Sequence, residues 1–448
     1  HSWIINNPRK NLISGFIFGI TYNFISNYWI GANSGAEFYV VVLSLIFAVL
    51  YLSIFWGVAG AIFGKIRTET NTYLSLPFLV VSLEWLRSFG PLGFTWGNLA
   101  LTQSDYLLML QLLDFTGTYS ISFIIIICNL ILYRLVNDKE YYKINIKLVL
   151  LFPIILLIFG YYRISTIVPT KSSIDVVVIQ PNIDPNKKWD FNLKNQTIGL
   201  MDSLYMEAIA LEPDLIIFPE TALPAYLRIE NLVRQSLQQK VNKSEIPIII
   251  GTVDRILDAN GNKKYFNSAM YLSPYKKYSM YNKIHLVPFA EYDLVPSFIS
   301  PLKNLNLNIN RGIFQKGKKY VSFKLNNLSF SDLICYESSF PRYARTFVKN
   351  GADFLLIQAN DGWLGKSAGP YQHFAQAKLR AIENRVPIVR GGNTGISSVI
   401  LPTGEVTTRT NLGEQIIFKE IVPIYNSGTF YTIYGDVFAV ICFIIFLF

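Results

Sequence analysis

Residues 329–345 have the sequence SFSDLICYESSFPRYAR, in which an apolar strand pattern changes to a helical pattern at Cys335. A nucleophile at a strand-to-helix turn is held exposed, with backbone N–H groups close to it. A free cysteine is more often a small buried hydrophobic residue, so Cys335 considered by itself is only a candidate nucleophile. The stretch predicts a strand, a sharp turn and a helix.

The same alternation of patterns extends over residues 174–425. Its apolar runs are short and continuous, which indicates strands buried on both faces, and helical patterns separate them. The predicted strands are 175–180, 214–218, 246–251, 267–272, 328–334, 353–358, 387–390 and 397–401. The predicted helices are 192–211, 230–241, 338–349 and 371–384. This alternation predicts an α/β domain.

Two charged residues stand where catalysis is possible. Glu220 follows an apolar run in DLIIFPETALP, where Pro219 fixes the backbone. It could serve as a general base or as a charge at a helix N-terminus. Lys283, in YNKIHLVPFAEY, is either a surface charge or an electrophilic partner.

No metal or cofactor site is predicted. His285 and His373 have no further ligands at metal-binding spacing. A Cys–His nucleophilic pair is possible but has no supporting local signature. The sequence contains no Gly-rich phosphate loop. Its three cysteines, Cys128, Cys335 and Cys442, provide neither a disulfide framework nor a CxxC motif.

The composition is that of a membrane protein. Of the 448 residues, 51% are hydrophobic and 16% are charged, whereas soluble domains have about 25% charged residues. The mean hydropathy of +0.31 agrees with this difference. The net charge of +10 could indicate nucleic-acid binding, but the basic residues are scattered and flank apolar segments. That distribution favours membrane topology and predicts no nucleic-acid partner.

Six apolar segments approach the roughly 20 residues that a helix needs to cross a bilayer. They are 12–30, 38–63, 73–88, 115–133, 147–167 and 429–448. Lys and Arg occur in alternate connections, as the positive-inside rule requires. They are present at 9–10, 65–67 and 139–147 and absent from 31–37 and 89–114.

This charge alternation predicts the domain organisation. Residues 1–167 are expected to form a membrane domain with about five crossings and a cytoplasmic N-terminus. Five crossings place residues 168–428 on the outer side of the membrane as a separate domain. Residues 429–448 then return to the cytoplasm as a C-terminal crossing.

Three motifs in this order resemble the Glu–Lys–Cys triad of the nitrilase superfamily. They are FPET at 218–221, YNKIHLVPFAEY at 281–292 and LICYES at 333–338. Further stretches, together with the membrane segments, resemble the bacterial apolipoprotein N-acyltransferase family. They are EWLR at 84–87, GFTW at 93–96 and QPNIDPNKKWD at 180–190, whereas NDGWLG at 360–365 resembles the superfamily as a whole. The resemblance implies a polytopic membrane helix bundle joined to a nitrilase-like four-layer α-β-β-α sandwich.

The resemblance also implies a reaction and its partners. A fatty acyl chain would move from a phospholipid, typically phosphatidylethanolamine, to the α-amine of the diacylglyceryl-cysteine that begins an apolipoprotein. The route would be ping-pong, through a thioester on Cys335, and it needs no cofactor. The implied location is the bacterial cytoplasmic membrane, with the catalytic domain facing the periplasm. The family has eight crossings where six are found, so this sequence is expected to lack the first two.

Individual roles follow from the same resemblance. Cys335 would be the nucleophile, Glu220 the group that takes its proton, and Lys283 the cation that stabilises the oxyanion. A backbone N–H near Tyr336 would assist Lys283. The implied supporting and substrate-binding residues are Glu291, Glu337, Tyr336, Trp189, Trp363, Asn360 and Arg311.

Two alternatives remain open at this point. The first is a membrane-anchored nitrilase-type amidase that hydrolyses a small amide, which would use the same triad but require only one anchor. The second is a non-catalytic membrane scaffold or transporter. The six apolar segments favour the acyltransferase over the amidase. The intact triad residues and the scarcity of charges inside those segments favour it over the scaffold or transporter.

Overall fold

The computed structural model describes residues 7–66, 74–137, 139–292 and 314–447, with side chains described except at 66 and 139–150. The chain divides into two compact units. The first comprises His1–Gly31, Phe38–Ile167 and Thr429–Phe448, and the second comprises Ala32–Glu37 and Val168–Gly428.

The first unit is helical in its described part. Up to residue 167 its helices are α1 (Pro8–Asn27), α2 (Phe38–Ile66), α3 (Ser75–Arg87), α4 (Leu107–Leu110), α5 (Leu113–Thr116), α6 (Tyr119–Asn137) and α7 (Lys139–Thr166). Helix α1 begins at Pro8, and the side chain of Asn7 accepts a hydrogen bond from the backbone N–H of Lys10. Proline at the first helical position and asparagine at the cap are the residues that these positions favour.

Two helices in the described part of the chain are long and apolar enough to cross a membrane. They are Phe38–Lys65 and Tyr119–Asn137. Six crossings were expected from the sequence. Helix α3 has only 13 residues, and α1 carries the buried polar side chains of Asn11, Asn23 and Asn27. Such helices fall short of the roughly 20 consecutive apolar residues that define a spanning segment.

In its described part, the second unit contains two sheets and four helices of more than one turn. In chain order they are β1 (Pro169–Gln180), α8 (Phe191–Ile209), β2 (Leu215–Ile217), α9 (Asn231–Ser244), β3 (Ile248–Leu257), β4 (Lys263–Leu272), β5 (Ser279–Asn282), β6 (Phe323–Leu325), β7 (Leu328–Ile334), α10 (Pro341–Lys349), β8 (Phe354–Ala359), α11 (Ala368–Asn384), β9 (Ile388–Gly392), β10 (Ser398–Ile400), β11 (Val406–Arg409) and β12 (Ile416–Tyr425). The chain then returns to the first unit as α12 (Phe430–Tyr434) and α13 (Val437–Leu447).

Each sheet has six strands. Their orders are β12-β1-β2-β3-β4-β5 and β11-β10-β9-β8-β7-β6. Strands β1, β2 and β3 run parallel, as do β7, β8 and β9, whereas the outer strands pair antiparallel. The parallel centre of each sheet brings the carboxyl ends of three strands to one edge.

Alternate residues of β1 face two different cores. Val176 and Val178 pack in a cluster with residues of both sheets, whereas Val177 and Ile179 pack with residues of α8 and α9. Residues of α10 and α11 belong to the cluster with the second sheet. The layers are therefore helix, sheet, sheet and helix, which confirms the predicted four-layer sandwich. A strand covered on both faces also explains the continuous apolar run DVVVIQ.

All eight predicted strands are present, and four further strands were not predicted. These are β5, β6, β11 and β12, which lie towards the outsides of the sheets and are short or mix polar with apolar residues. The helix predicted over 338–349 begins only at Pro341, because a 3₁₀ turn occupies Cys335–Ser339. The apolar segment 429–448 forms two helices, α12 and α13, and Gly435 between them has φ +77°.

Candidate active site

Three strand ends contribute the polar side chains of the site. Glu220 comes shortly after β2, Cys335 directly follows β7, and Asp361 follows β8 by one residue. Crevices outside the carboxyl ends of parallel strands are the usual ligand sites of α/β sheets. Because these strands belong to the two packed sheets, the sandwich brings residues distant in sequence into one place.

Cys335 adopts a backbone conformation that is unusual for a residue with a side chain. Its φ is +52°, in the left-handed region, and it begins the 3₁₀ turn Cys335–Ser339. Its thiol is half-buried. Burial and the carboxylate of Glu220 raise the pKa of the Cys335 thiol well above its ordinary value, while the ammonium of Lys283 acts in the opposite direction. A base is therefore needed to form the thiolate.

Glu220 is a buried carboxylate beside a cation. Its Oε1 lies 3.8 Å from Lys283 Nζ and accepts a hydrogen bond of 2.7 Å from Asn267 Nδ2. Burial raises the pKa of Glu220, and the ammonium of Lys283 partly offsets that effect. A carboxylate whose pKa is raised is a better proton acceptor than an ordinary one.

Lys283 is fully buried and paired with two carboxylates. Its Nζ lies 2.8 Å from Glu291 Oε2 and 2.9 Å from Glu291 Oε1. Burial alone would lower the pKa of Lys283, but Glu291 and Glu220 raise it above its ordinary value. Lys283 is therefore an ammonium at neutral pH, able to stabilise a negative charge that develops nearby.

Asn267, on β4, connects the two carboxylates. Its Nδ2 donates to Glu220 Oε1 at 2.7 Å and to Glu291 Oε1 at 2.8 Å, and its backbone carbonyl accepts from the N–H of Lys283 at 2.8 Å. Sequence analysis did not identify Asn267, although it opens the predicted strand 267–272. The signal available in the sequence was a polar asparagine in a strand whose apolar residues are buried.

Glu337 ties the Lys283 segment to the Cys335 turn. Its carboxylate accepts from the backbone N–H groups of Ile284, His285 and Ile334 and from the hydroxyl of Tyr281, at 2.6 to 3.0 Å. Tyr281, Ile284 and His285 flank Lys283 in sequence, whereas Ile334 directly precedes Cys335. Glu337, predicted as a supporting residue, thus holds the backbone on which the lysine and the thiol are mounted.

The predicted aromatic residues lie in different environments. Tyr336 is buried, and its ring stacks on that of His285 with centroids 5.6 Å apart. Trp189 is 45% exposed, with its ring 5.9 Å from that of Tyr226. Trp363 lies in the 3₁₀ turn Asp361–Leu364, and its carbonyl accepts from the backbone N–H of Ser34.

The two remaining predicted supporting residues are Asn360 and Arg311. Asn360 is buried, and its Oδ1 accepts a hydrogen bond of 3.0 Å from Asn393 Nδ2. The side-chain amide of Asn360 therefore makes a buried contact with the turn that follows β9. Arg311 lies outside the described residues.

A second cluster of polar side chains lies beside Cys335. The Cys335 thiol, a carboxylate oxygen of Asp361 and a ring nitrogen of His373 lie within 4.8 Å of one another. These are residue types that bind metals, so the reason given from the sequence for dismissing His373, a lack of further ligands, was wrong. Both ring nitrogens of His373 nevertheless face hydrogen-bond partners, Asp361 on one side and the Cys335 carbonyl on the other.

A buried lysine also supports the Glu220 segment. Lys188 Nζ donates to the carbonyl of Thr221 at 2.9 Å. Thr221 has φ +45°, so the turn after Glu220 is strained and gains from an anchor. Burial lowers the pKa of Lys188 from 10.5 to about 8, although Glu220 acts to raise it. Lys188 was not singled out from the sequence.

Two glycines lie where the chain passes close to the segments of Glu220 and Lys283. A Cβ on Gly251 would lie 2.5 Å from the Pro219 carbonyl oxygen and 2.6 Å from Glu220 Cα. A Cβ on Gly317 would lie 2.0 Å from the Asn282 carbonyl oxygen, next to Lys283. Larger residues at these positions would displace the backbone of the site.

The chain is similar to known proteins in both of its parts. The family model for carbon-nitrogen hydrolases matches residues 176–423, and that for the N-terminal domain of apolipoprotein N-acyltransferases matches residues 2–131. Among solved structures, an amidase from Nesterenkonia sp. overlays with a TM-score of 0.43 at 16% identity, covering 58% of this chain and 93% of that chain.

Full-length relatives cover nearly the whole chain. An apolipoprotein N-acyltransferase from Geobacter metallireducens is 32% identical over 452 residues, which are 97% of this chain and 85% of that protein. One from Chlorobaculum tepidum is 30% identical over 464 residues, which are again 97% of this chain and 85% of that protein. This chain therefore belongs to the apolipoprotein N-acyltransferase family of the nitrilase superfamily.

Proposed function

We propose that this protein transfers a fatty acyl chain from a phospholipid to the N-terminal α-amine of diacylglyceryl-cysteine in apolipoproteins. The relatives that match over 97% of the chain are named apolipoprotein N-acyltransferases. The observation that carries the proposal is the arrangement of a thiol, a buried carboxylate and a buried ammonium at Cys335, Glu220 and Lys283. These are the three groups that acyl transfer through a thioester requires.

The first half-reaction forms the acyl-enzyme. Glu220 takes the thiol proton of Cys335 as Sγ attacks the ester carbonyl carbon of the phospholipid. The carbonyl oxygen becomes an oxyanion, which the ammonium of Lys283 and a backbone N–H near Tyr336 stabilise. The ester C–O bond then breaks, Glu220 returns the proton to the departing alkoxide, and a lysophospholipid leaves a thioester on Cys335.

The second half-reaction delivers the acyl chain. The α-amine attacks the thioester carbonyl carbon, and Glu220 takes a proton from the amine nitrogen. The C–S bond breaks, an amide forms, and the proton passes from Glu220 to the thiolate of Cys335. Dividing one acyl transfer into two steps in this way produces ping-pong kinetics.

The remaining site residues have supporting roles in this proposal. Glu291 keeps Lys283 charged and oriented through its 2.8 Å contact, and Glu337 holds the two backbone segments together. The exposed indole of Trp189 and the partly exposed Trp363 offer apolar surface to acyl chains, whereas the ring of Tyr336, next to Cys335 in sequence, is buried. Asn360 and Arg311 complete the proposed substrate-binding set.

The proposal extends to the membrane. The apolar helices, including Phe38–Lys65 and Tyr119–Asn137, would form a polytopic bundle in the bacterial cytoplasmic membrane, with residues 168–428 in the periplasm. A diacyl substrate then need not leave the bilayer. Single cysteines introduced at Ser34 and at Lys187, in a chain with Cys128, Cys335 and Cys442 replaced by Ala, are expected to react with an impermeant maleimide in intact spheroplasts. Reaction only after lysis would contradict the topology.

Intact-mass spectrometry tests the reaction. The purified full chain is mixed with phosphatidylethanolamine, beside a Cys335→Ala control. A long-chain acyl increment on the wild type, absent from the control and discharged by a diacylglyceryl-cysteine peptide, is expected.

Two results would contradict the proposal. One is a folded wild-type protein that acquires no acyl group from any phospholipid of a panel that varies headgroup and chain length. The other is an acyl-enzyme that water discharges as fast in the absence of the peptide as in its presence, because that would indicate a hydrolase of the amidase type.

A further inference from the structure

The left-handed conformation of Cys335 requires support from its surroundings. A non-glycine residue with positive φ is strained and persists only where neighbouring groups hold it. The carbonyl oxygen of Cys335 has two such neighbours. His373 Nε2 lies 3.0 Å from it, and the hydroxyl of Ser338 donates to it at 2.7 Å.

The hydrogen bonds determine which atom donates. The proton of the Ser338 hydroxyl is used on the Cys335 carbonyl, so Ser338 Oγ accepts where it lies 2.9 Å from His373 Nε2. A carbonyl oxygen only accepts. Nε2 of His373 therefore carries a proton and donates it to the turn that holds the nucleophile.

The orientation of the His373 ring is fixed from its other side. Nδ1 lies 2.7 Å from Asp361 Oδ1, and the guanidinium of Arg390 binds Asp361 Oδ2 and reaches to 3.1 Å from Nδ1. Although burial alone would raise the pKa of Asp361, Arg390 and His373 lower it to about 2. All three side chains are buried, so the ring cannot turn without breaking these contacts.

These contacts come from separate parts of the second unit. Asp361 follows β8, His373 lies on α11 and Arg390 lies on β9, while the carbonyl they support belongs to the turn after β7. The Cys335 thiol lies within 4.8 Å of the ligand-type atoms of Asp361 and His373. The network is thus close enough to control the position of the nucleophile without belonging to the triad.

We propose that His373, oriented by Asp361 and Arg390, is a positioning residue that holds the Cys335 turn in the conformation required for thioester formation. The inference rests on the proposed function, since it assumes that Cys335 is the nucleophile. It goes beyond that function because it assigns a role to a side chain outside the triad.

Two substitutions of His373 distinguish its contact with the Cys335 carbonyl from its contact with Asp361. In His373→Gln the amide nitrogen lies near the position of Nε2 and can still donate to the Cys335 carbonyl. In His373→Asn the shorter side chain can reach Asp361 but not that carbonyl. Tyr371→Phe, on the same helix with an exposed ring, is the matched control.

The measurement is the single-turnover rate of acyl-enzyme formation on the full chain, with the phospholipid concentration varied. His373→Asn is expected to lower the maximal rate by about 10²-fold and leave the half-saturating phospholipid concentration unchanged, because the nucleophile is misplaced while lipid binding is intact. His373→Gln is expected to restore most of the rate, and Tyr371→Phe to equal the wild type.

The failure of this inference is distinguishable from that of the proposed function. Wild-type rates in both His373 variants would overturn the inference alone, as would equal losses in the Gln and Asn variants. A wild-type chain that is never acylated would overturn the function. If a melting-temperature measurement shows that His373→Asn does not fold, Ser338→Ala is the substitute variant, because it removes the other donor to the Cys335 carbonyl. It is expected to slow acylation about tenfold at unchanged half-saturation, and an unchanged rate would overturn the inference.

Discussion

The ammonium of Lys283 lies 2.8 Å from the carboxylate of Glu291, in a site where both side chains are largely shielded from water. The carboxylate of Glu220 is 1.0 Å farther from the same nitrogen, at 3.8 Å against 2.8 Å. Glu291 is thus the main counterion of the lysine, which leaves Glu220 available for the proton transfer proposed above. The two carboxylates thus differ in how closely they pair with the ammonium of Lys283.

Neutralising Glu291 should misplace the lysine. In Glu291→Gln the amide oxygen can still accept from Asn267, but the negative charge that pairs with Lys283 is lost. We expect acyl-enzyme formation to slow by about 10²-fold, measured by intact mass in single turnover. The partly exposed pair of Lys194 and Glu230 is the control, and Glu230→Gln should leave the rate unchanged. A rate within twofold of wild type for Glu291→Gln would contradict the role given to Glu291.

Neutralising Glu220 should remove the proton acceptor. Glu220→Gln keeps an oxygen that can accept from Asn267, and we expect acylation to slow by about 10²- to 10⁴-fold. In the wild type, burial raises the pKa of Glu220, so acidification should abolish acylation at a higher pH than an ordinary glutamate would give. The pH profile of the single-turnover rate measures this limb. A variant that retains the wild-type rate and acid limb would exclude Glu220 as the base.

A methyl group on Gly251 should displace Glu220. The added Cβ would lie 2.6 Å from Glu220 Cα, and backbone atoms cannot yield as a flexible side chain can. We expect Gly251→Ala to lower the acylation rate by about 10²-fold, because a displacement near 1 Å suffices for such a loss. Gly199→Ala is the control, since nothing lies within 4 Å of a Cβ at that helical position. Equal activities of the two variants would show that the Glu220 segment tolerates the displacement.

Lys188 should make stability depend on pH. Burial lowers its pKa from 10.5 to about 8, so between these values the unfolded chain binds more protons than the folded chain. The free energy of unfolding should therefore rise with pH across this window, by up to about 3 kcal/mol at 1.36 kcal/mol per pH unit. Melting temperatures in detergent at pH 7.5, 8.5 and 9.5 measure the slope. Lys188→Met should flatten it, whereas the exposed Lys187→Met should not, and parallel slopes in all three proteins would contradict the assignment.

Local patterns in the sequence were sufficient for the interior strands and for the turn at Cys335. A strand covered on both faces must be apolar along its whole length, and that property is visible in a run such as DVVVIQ without knowledge of its partners. The outer strands β5, β11 and β12 have one face less covered, and β6 is only three residues long, so their residues carried no clear signal. Candidate triad positions were recognisable because each stands in a local motif.

The contacts that make those positions a site were decided by the tertiary structure. Asn267 reaches Glu220 across 47 positions of sequence, and His373 reaches the Cys335 carbonyl across 38. Which polar side chains meet at such separations depends on strand register and on how the two sheets pack. Hydrophobic periodicity reports only whether a residue faces a core. The sequence by itself therefore determined the buried strands and the candidate reactive groups, and only the packed sandwich determined which neighbours surround those groups.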